Sequence, residues 1–181
     1  LRRQRQMCIR DSRDDVDESY QPLNYEMIKE ALEERFGGKW QIVIRLHNRL
    51  KKESRSWLNL LPSYVSDATF YEDMQELLLC TDVGLTDYSS WIFDFVLSGK
   101  PGFIIELNLE DYENARGFYY PIDTTPFPIA MNSEELAANI RKFDAEKYEK
   151  DKDVFLAARG CMEDGHASER IVEKINELMA K

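Results

Sequence analysis

A chain of 181 residues with 34 acidic against 24 basic side chains carries a net charge of −10. That balance excludes a broad nucleic-acid surface, which needs clustered cations to neutralise phosphates, but it leaves room for one small anion held locally. The length suffices for one substantial core, and no apolar run is long enough to span a bilayer. Cys8, Cys80 and Cys161 lack metal-ligand spacing; Cys80 and Cys161 read as core thiols of a reducing compartment.

The opening "LRRQRQMCIRDS" matches the translated end of a common transposon-based sequencing adapter, and residues 1–12 read as adapter translation rather than native protein. The alternative is a native basic tail or targeting peptide, but the segment has no apolar core of a secretory signal. The native chain is expected from residue 13, with a preceding portion of the gene absent. Removing the four Arg and one Asp of residues 1–12 leaves 20 basic against 33 acidic residues, or −13.

From Leu23 to Phe36, Met27, Ile28, Ala31, Leu32 and Phe36 recur at helical spacing, and Gly37-Gly38 supplies the stop. "WQIVIRLH" (40–47) reads as a strand with apolar residues on both faces near its middle, placing Arg45 and His47 together at its carboxyl end. Residues 48–61 read as a loop leading into a helix, their charges forming a solvated face. A short strand is expected around Tyr64 to Ser66, a helix over "YEDMQELLLC", a strand over "DVGLT" (82–86), a helix from Ser90 to Ser98 and a strand over "GFIIE" (102–106). "LEDYENARGFYYPIDTTPFPIA" (109–130), rich in aromatics, Pro and Gly, reads as a packed loop. Asn132 and Glu135 form a capping box before "ELAANIRKF", and helices follow over about 144–158 and 167–180. Alternating strands and helices predict an α/β fold, a doubly wound parallel sheet.

In such a sheet, ligands bind beyond the carboxyl ends of the strands, where loops lead into helix starts. "TDYSS" (Thr86, Asp87, Tyr88, Ser89, Ser90) is the exit of one such strand. Helix-start N–H groups beside hydroxyls suit a diphosphate, although Ser89 or Ser90 can equally serve only as a cap. The loop carries no glycine-rich phosphate fingerprint. Arg45 and His47 on a neighbouring strand end suit phosphate oxygens, and His47 also suits proton transfer near neutral pH; the alternative for His47 is a structural hydrogen bond. Asp87 is placed to orient a hydroxyl or the loop backbone. Asp94, inside an apolar helix, needs a partner if buried. No metal-ligand set or cofactor motif stands out.

Together "MQELLLCTDVGLTDYSSWIFDFVLSGKP", "LEDYENARGFYY", "PFPIAMNSEEL" and "EDGHASERIVEKI" resemble the carboxyl-terminal half of the CDP-glycerol glycerophosphotransferase family, the teichoic-acid primases and polymerases. The resemblance runs from about residue 13 to the end. It implies a Rossmann-like nucleotide-binding lobe, residues 13–181, of the two-lobed GT-B type, lacking its first strand. It further implies transfer of glycerol phosphate from CDP-glycerol, the donor substrate, to a lipid-linked acceptor with release of CMP. Partners are then the missing N-terminal lobe, the nucleotide donor and the acceptor polymer, not nucleic acid, at the inner face of the cell membrane. Matched residue by residue, Thr86, Asp87, Tyr88, Ser89 and Ser90 border the pyrophosphate, and Arg45 and His47 fall on the family's strand-end cation-x-His element, with His47 as the phosphate-contacting or acid/base residue. The family commonly continues from that His to Pro, where this chain has Asn48. A nucleotide-sugar transferase lobe and a stand-alone α/β binding module are the rival classes.

Overall fold

The computed structural model describes residues 3–9, 23–46, 61–87, 89–106 and 121–180. In chain order these form β1 (Arg3–Ile9), α1 (Tyr25–Phe36), β2 (Trp40–Leu46), β3 (Val65–Asp67), α2 (Met74–Leu79), β4 (Gly84–Thr86), α3 (Trp91–Phe95), β5 (Gly102–Ile105), β6 (Ile129–Ala130), α4 (Ser133–Arg141), α5 (Ala145–Ala158) and α6 (Ala167–Met179). The six strands pair in parallel in the order β3-β2-β1-β4-β5-β6. The order reverses between β1 and β4, as in dinucleotide-binding sheets.

Local chemistry sets the element ends. The Asn24 side chain accepts from the Met27 N–H at 3.1 Å to start α1, and Gly37, at φ 66°, ends it. Asp73 accepts from the amides of Gln75 and Glu76 at 2.8 and 3.0 Å to start α2. The expected capping box forms with a shift: the Glu135 amide donates to Asn132 Oδ1 at 2.8 Å, but the Glu135 carboxylate accepts from the N–H of Met131, one residue before the cap, at 2.8 Å.

Successive residues of β5 show how the sheet is covered on both faces. Phe103 meets Phe143, beyond α4, at a ring-centroid distance of 5.5 Å. A Cβ on its neighbour Gly102 would instead lie 2.9 Å from Phe127 and 3.2 Å from Ile92 of α3. On the first face, Arg35 of α1 donates twice to the Phe143 carbonyl, at 3.0 and 2.8 Å, and the Asn24 amide donates to Ser133 Oγ at 3.0 Å. Lys100 ties the lower rim: its ammonium donates to the carbonyls of Leu79 and Thr81 at 2.8 and 2.7 Å, and its own carbonyl accepts from Tyr148 at 3.1 Å. A cation at those orphan carbonyls suits the negative end of α2.

Several expectations change. Where the resemblance implies a lobe lacking its first strand, Arg3–Ile9 forms β1, bonded in parallel to β2 on one side and to β4 on the other. The end of the 109–130 segment is a sixth strand, β6, too short to carry a periodic signal. The helix expected over 90–98 is α3 followed by a 3₁₀ turn, Val96–Ser98, closed by Gly99 at φ 67°. Cys80 is exposed and Cys161 half-buried, so neither is a core thiol. Asp94 is exposed and needs no buried partner. α6 buries none of its residues, leaving Ile171, Ile175 and Leu178 exposed. The reading of 48–60 lies outside the described residues, as does that of 107–120.

Two stability predictions follow from this packing. In Gly84→Ala the new methyl would sit 2.7–2.8 Å from Phe95 ring carbons and 3.0 Å from Trp91, an overpacking expected to cost about 1–3 kcal/mol in a denaturant titration. Burial pushes the Tyr148 hydroxyl well above the ordinary tyrosine range, and burial with Glu26 beside it pushes Tyr64 up to about 12. With folded values raised, this stability is intact below roughly pH 10 and is lost as pH climbs through the folded values. Alkaline unfolding followed by circular dichroism should therefore be shallower in Tyr148→Phe than in the parent chain.

Candidate functional site

The carboxyl edge of the sheet brings two of the sequence-predicted groups into one row. In register, Cys8 of β1 pairs with Arg45 of β2 on one side and with Thr86 of β4 on the other. Arg45 and Thr86 are thus two strand spacings apart, roughly 10 Å between backbones, on either side of β1. The point where the strand order reverses lies between β1 and β4, and Thr86 is the last residue of β4.

Thr86 turns the chain. It is 1% exposed, and its hydroxyl oxygen accepts the Ser89 N–H at 3.3 Å. The carbonyls of Ser89 and Ser90 then accept from Ile92 and Phe93 at 3.3 and 3.0 Å, opening α3. Ser90 occupies the cap position with helical backbone angles, φ −62° and ψ −14°, and its side chain makes no capping hydrogen bond. The capping role that sequence allows for Ser90 is therefore not taken up, and its exposed hydroxyl sits at the helix start. Asp87, which follows Thr86 in this turn, is 5% exposed.

Arg45 is half-buried, and its guanidinium donates to the Tyr71 carbonyl in the turn after β3. That turn is closed by the Tyr71 amide bonding to the Ala68 carbonyl at 3.0 Å and by Asp67 accepting from the Thr69 amide at 2.8 Å. Arg45 therefore joins the exits of β2 and β3, with its charge held at the sheet edge. His47 and Tyr88 lie outside the described residues.

Two residues that sequence reading passes over stand beside this edge. Glu106 follows β5 directly, is 3% exposed, and its amide donates to the Ala130 carbonyl at 2.7 Å; its only sequence signal is a carboxylate at the end of the "GFIIE" run. The Trp91 indole N–H, at the first position of α3, is buried without a hydrogen-bond partner among the described residues, and no sequence pattern marks it. Among the described residues no group of three His, Cys, Asp or Glu side chains is placed to hold a metal ion, and no helix is long and apolar enough to cross a membrane.

The family model described as CDP-Glycerol:Poly(glycerophosphate) glycerophosphotransferase matches residues 9–177. The chain is 32% identical over 161 residues to a teichoic acid glycerol-phosphate transferase of Staphylococcus aureus, covering 87% of this chain and 40% of that protein. It is 35% identical over 146 residues to a teichoic acid poly(ribitol-phosphate) polymerase of Bacillus spizizenii, covering 72% of this chain and 23% of that protein. Among solved structures, the wall teichoic acid polymerase TagF matches with a TM-score of 0.69 at 23% identity, over 97% of this chain and 43% of that one. A TagF variant matches with a TM-score of 0.70 at 24% identity, over 99% of this chain and 45% of that one. This likeness shows the fold, a Rossmann-like lobe of the GT-B type. The chain spans less than half the length of each of these relatives.

Because the Thr86 hydroxyl alone among the described groups is seen to hold the Ser89 amide, Thr86→Val should loosen the turn. Hydrogen exchange is expected to show faster loss of protection at Ser89, with stability lowered by about 1 kcal/mol, while Thr86→Ser restores both.

Proposed function

Because the chain belongs to the CDP-Glycerol:Poly(glycerophosphate) glycerophosphotransferase family, we propose that it is the nucleotide-binding lobe of an enzyme that moves glycerol phosphate from CDP-glycerol to a hydroxyl of a lipid-linked acceptor in teichoic-acid-type polymer synthesis. The single observation that carries the reading is the Thr86–Ser90 turn, which leaves the sheet beside the reversal of strand order, where nucleotides bind in sheets of this kind.

In the proposed reaction an acceptor oxygen forms a bond to the β-phosphorus of the donor while the bond from that phosphorus to the CMP oxygen breaks. The acceptor proton passes to a base on the absent lobe. Negative charge grows on the departing CMP, so donors and cations fixed in advance are what the lobe contributes. Thr86, Asp87, Tyr88, Ser89 and Ser90 border the pyrophosphate in this reading. Asp87 acts by holding the loop rather than touching phosphate, since like charges repel. Arg45 supplies positive charge from β2, and His47 contacts phosphate or transfers a proton. The acceptor's lipid places the enzyme peripherally at the inner face of the membrane.

A second reading, transfer of ribitol phosphate from the corresponding cytidine donor, is favoured by the 35% identity to the poly(ribitol-phosphate) polymerase. Calorimetric titration of the 181-residue chain with both cytidine donors and with UDP-sugars separates the possibilities. Binding of CDP-glycerol without UDP-sugar competition supports the proposal; preferential binding of the ribitol donor moves it to the second reading; UDP-sugar binding at the same site replaces it with a sugar transferase. Supplied with acceptor, the chain alone is expected to release no CMP. In the complete enzyme His47→Ala should lower turnover by about 10²–10⁴-fold with little change in thermal stability; unchanged turnover at saturating donor would remove His47 from the mechanism.

A further inference from the structure

The last helix stands apart from the core it follows. α6 buries none of its 13 residues, whereas α4 buries Leu136, Ala137 and Ile140 and α5 buries Tyr148 and Phe155. The hydrogen bonds seen for its charged side chains stay local: Arg170 donates to Asp164 at 2.7 and 2.8 Å and to the Met162 carbonyl at 2.9 Å, and Lys174 donates to Glu177 at 2.8 Å. A helix of this length is marginal in water on its own, because nucleation is costly and packing of an apolar face supplies most helical stability. α6 carries such a face. Ile171, Ile175 and Leu178 recur at spacings of four and three, Val172 and Met179 widen the arc, and the exposures of the five run from 49% to 80%.

Charge, symmetry and area select what covers it. The polar side of α6 sets Glu169, Glu173 and Glu177 against Arg170 and Lys174, so it lacks the cationic face with which interfacial helices meet anionic lipid. The apolar arc is symmetric about Ile175, with Ile171 and Val172 before it and Leu178 and Met179 after it. A two-fold axis through Ile175 lays Ile171 and Val172 of one copy on Met179 and Leu178 of a second, and the reverse, which is the self-complementary contact of an isologous pair. In that antiparallel register Lys174 falls opposite Asn176 rather than another cation, so the seam escapes the cost of opposed like charges. The five side chains offer on the order of 600 Å² per copy and on the order of 1,200 Å² for the pair, which reaches the lower bound of specific interfaces.

We propose that the apolar face of α6 is an interface between two copies of this chain, packed antiparallel about Ile175. Pairing supplies the packing that a single copy withholds from the helix, so association and the folding of α6 are coupled: dilution separates the copies and frays the helix together.

The test is independent of any nucleotide. In analytical ultracentrifugation over a dilution series, the full 181-residue chain is expected to sediment as a dimer when concentrated and as a monomer when dilute, with helical circular dichroism falling in step. Ile175→Glu sets two carboxylates against each other at the two-fold axis and is expected to raise the dimer dissociation constant about 10²-fold or more. Ile175 lies outside the core, so the variant is expected to keep the parent's unfolding transition when both are measured as dilute monomers. Glu173→Gln, on the opposite side of the helix, is expected to leave dimerisation unchanged. A chain that is monomeric at every concentration would overturn the proposal, as would a dimer that Ile175→Glu leaves intact or that Glu173→Gln weakens equally. Binding to phosphatidylglycerol vesicles in place of dimerisation, abolished by Ile175→Glu, would assign the face to a membrane and overturn it as well.

Discussion

Parallel strands cannot be closed by hairpins, so each connection must cross over a face of the sheet and return, and every strand exit falls on the same edge. In this lobe the constraint is concentrated on the pairing of β2 and β4 to the single strand between them. Remove that strand and the sheet separates into β3-β2 and β4-β5-β6, with the helices of each half losing their common floor. Keep it, and the chain runs outward from β1 in two directions, so that the exits of β1 and β4 part at the reversal of strand order. The place of the candidate site is thus a consequence of strand pairing before any side chain contributes chemistry.

Packing then sets how sharply the chain turns at the exit of β4. Gly84 lies in the middle of buried aromatic surface, where the rings of Phe95 and Trp91 take the space a Cβ would need. Gly102 on the neighbouring strand admits Phe127 and Ile92 in the same way. Both glycines are required by close approach of rings rather than by backbone angle. With α3 held this close to β4, four residues from Asp87 to Ser90 span from strand to helix, and the Thr86 hydroxyl holds the Ser89 amide within that span. At the opposite rim, Lys100 fixes the end of α2 and the approach to β4 through two carbonyls. The turn that borders the proposed pyrophosphate is therefore supported from both ends of one short strand.

The charge distribution agrees with a lobe that holds one anionic group rather than a long polyanion. The overall charge is −10, and Arg45 has its guanidinium anchored by the Tyr71 carbonyl. In the proposed reaction, a cation anchored in advance loses little freedom when a phosphate arrives. Asp87 and Glu106 end adjacent strands as buried carboxylates, so this edge carries negative as well as positive groups, and selectivity there depends on where each is held.

Sequence by itself determined the α/β class, the positions of the long helices and the residues of the β4 exit, because helical spacing, capping residues and turn residues act over a few neighbours. Asn132 and Gly37 cap and stop their helices as their types require, and the motif "TDYSS" falls at the end of the strand where the sequence places it. Tertiary structure alone decided what depends on distant partners. β6 is two residues long and exists only because β5 offers its edge. Cys80 and Asp94 follow the exposed sides of helices whose buried sides are set by the sheet. Glu106 and Trp91 are placed beside the candidate site by strand order, and no local pattern carries that information. Strand order is also what lets a polar segment stand in the middle of the sheet: main-chain hydrogen bonds are blind to side chains, so periodicity cannot announce which segment will make them.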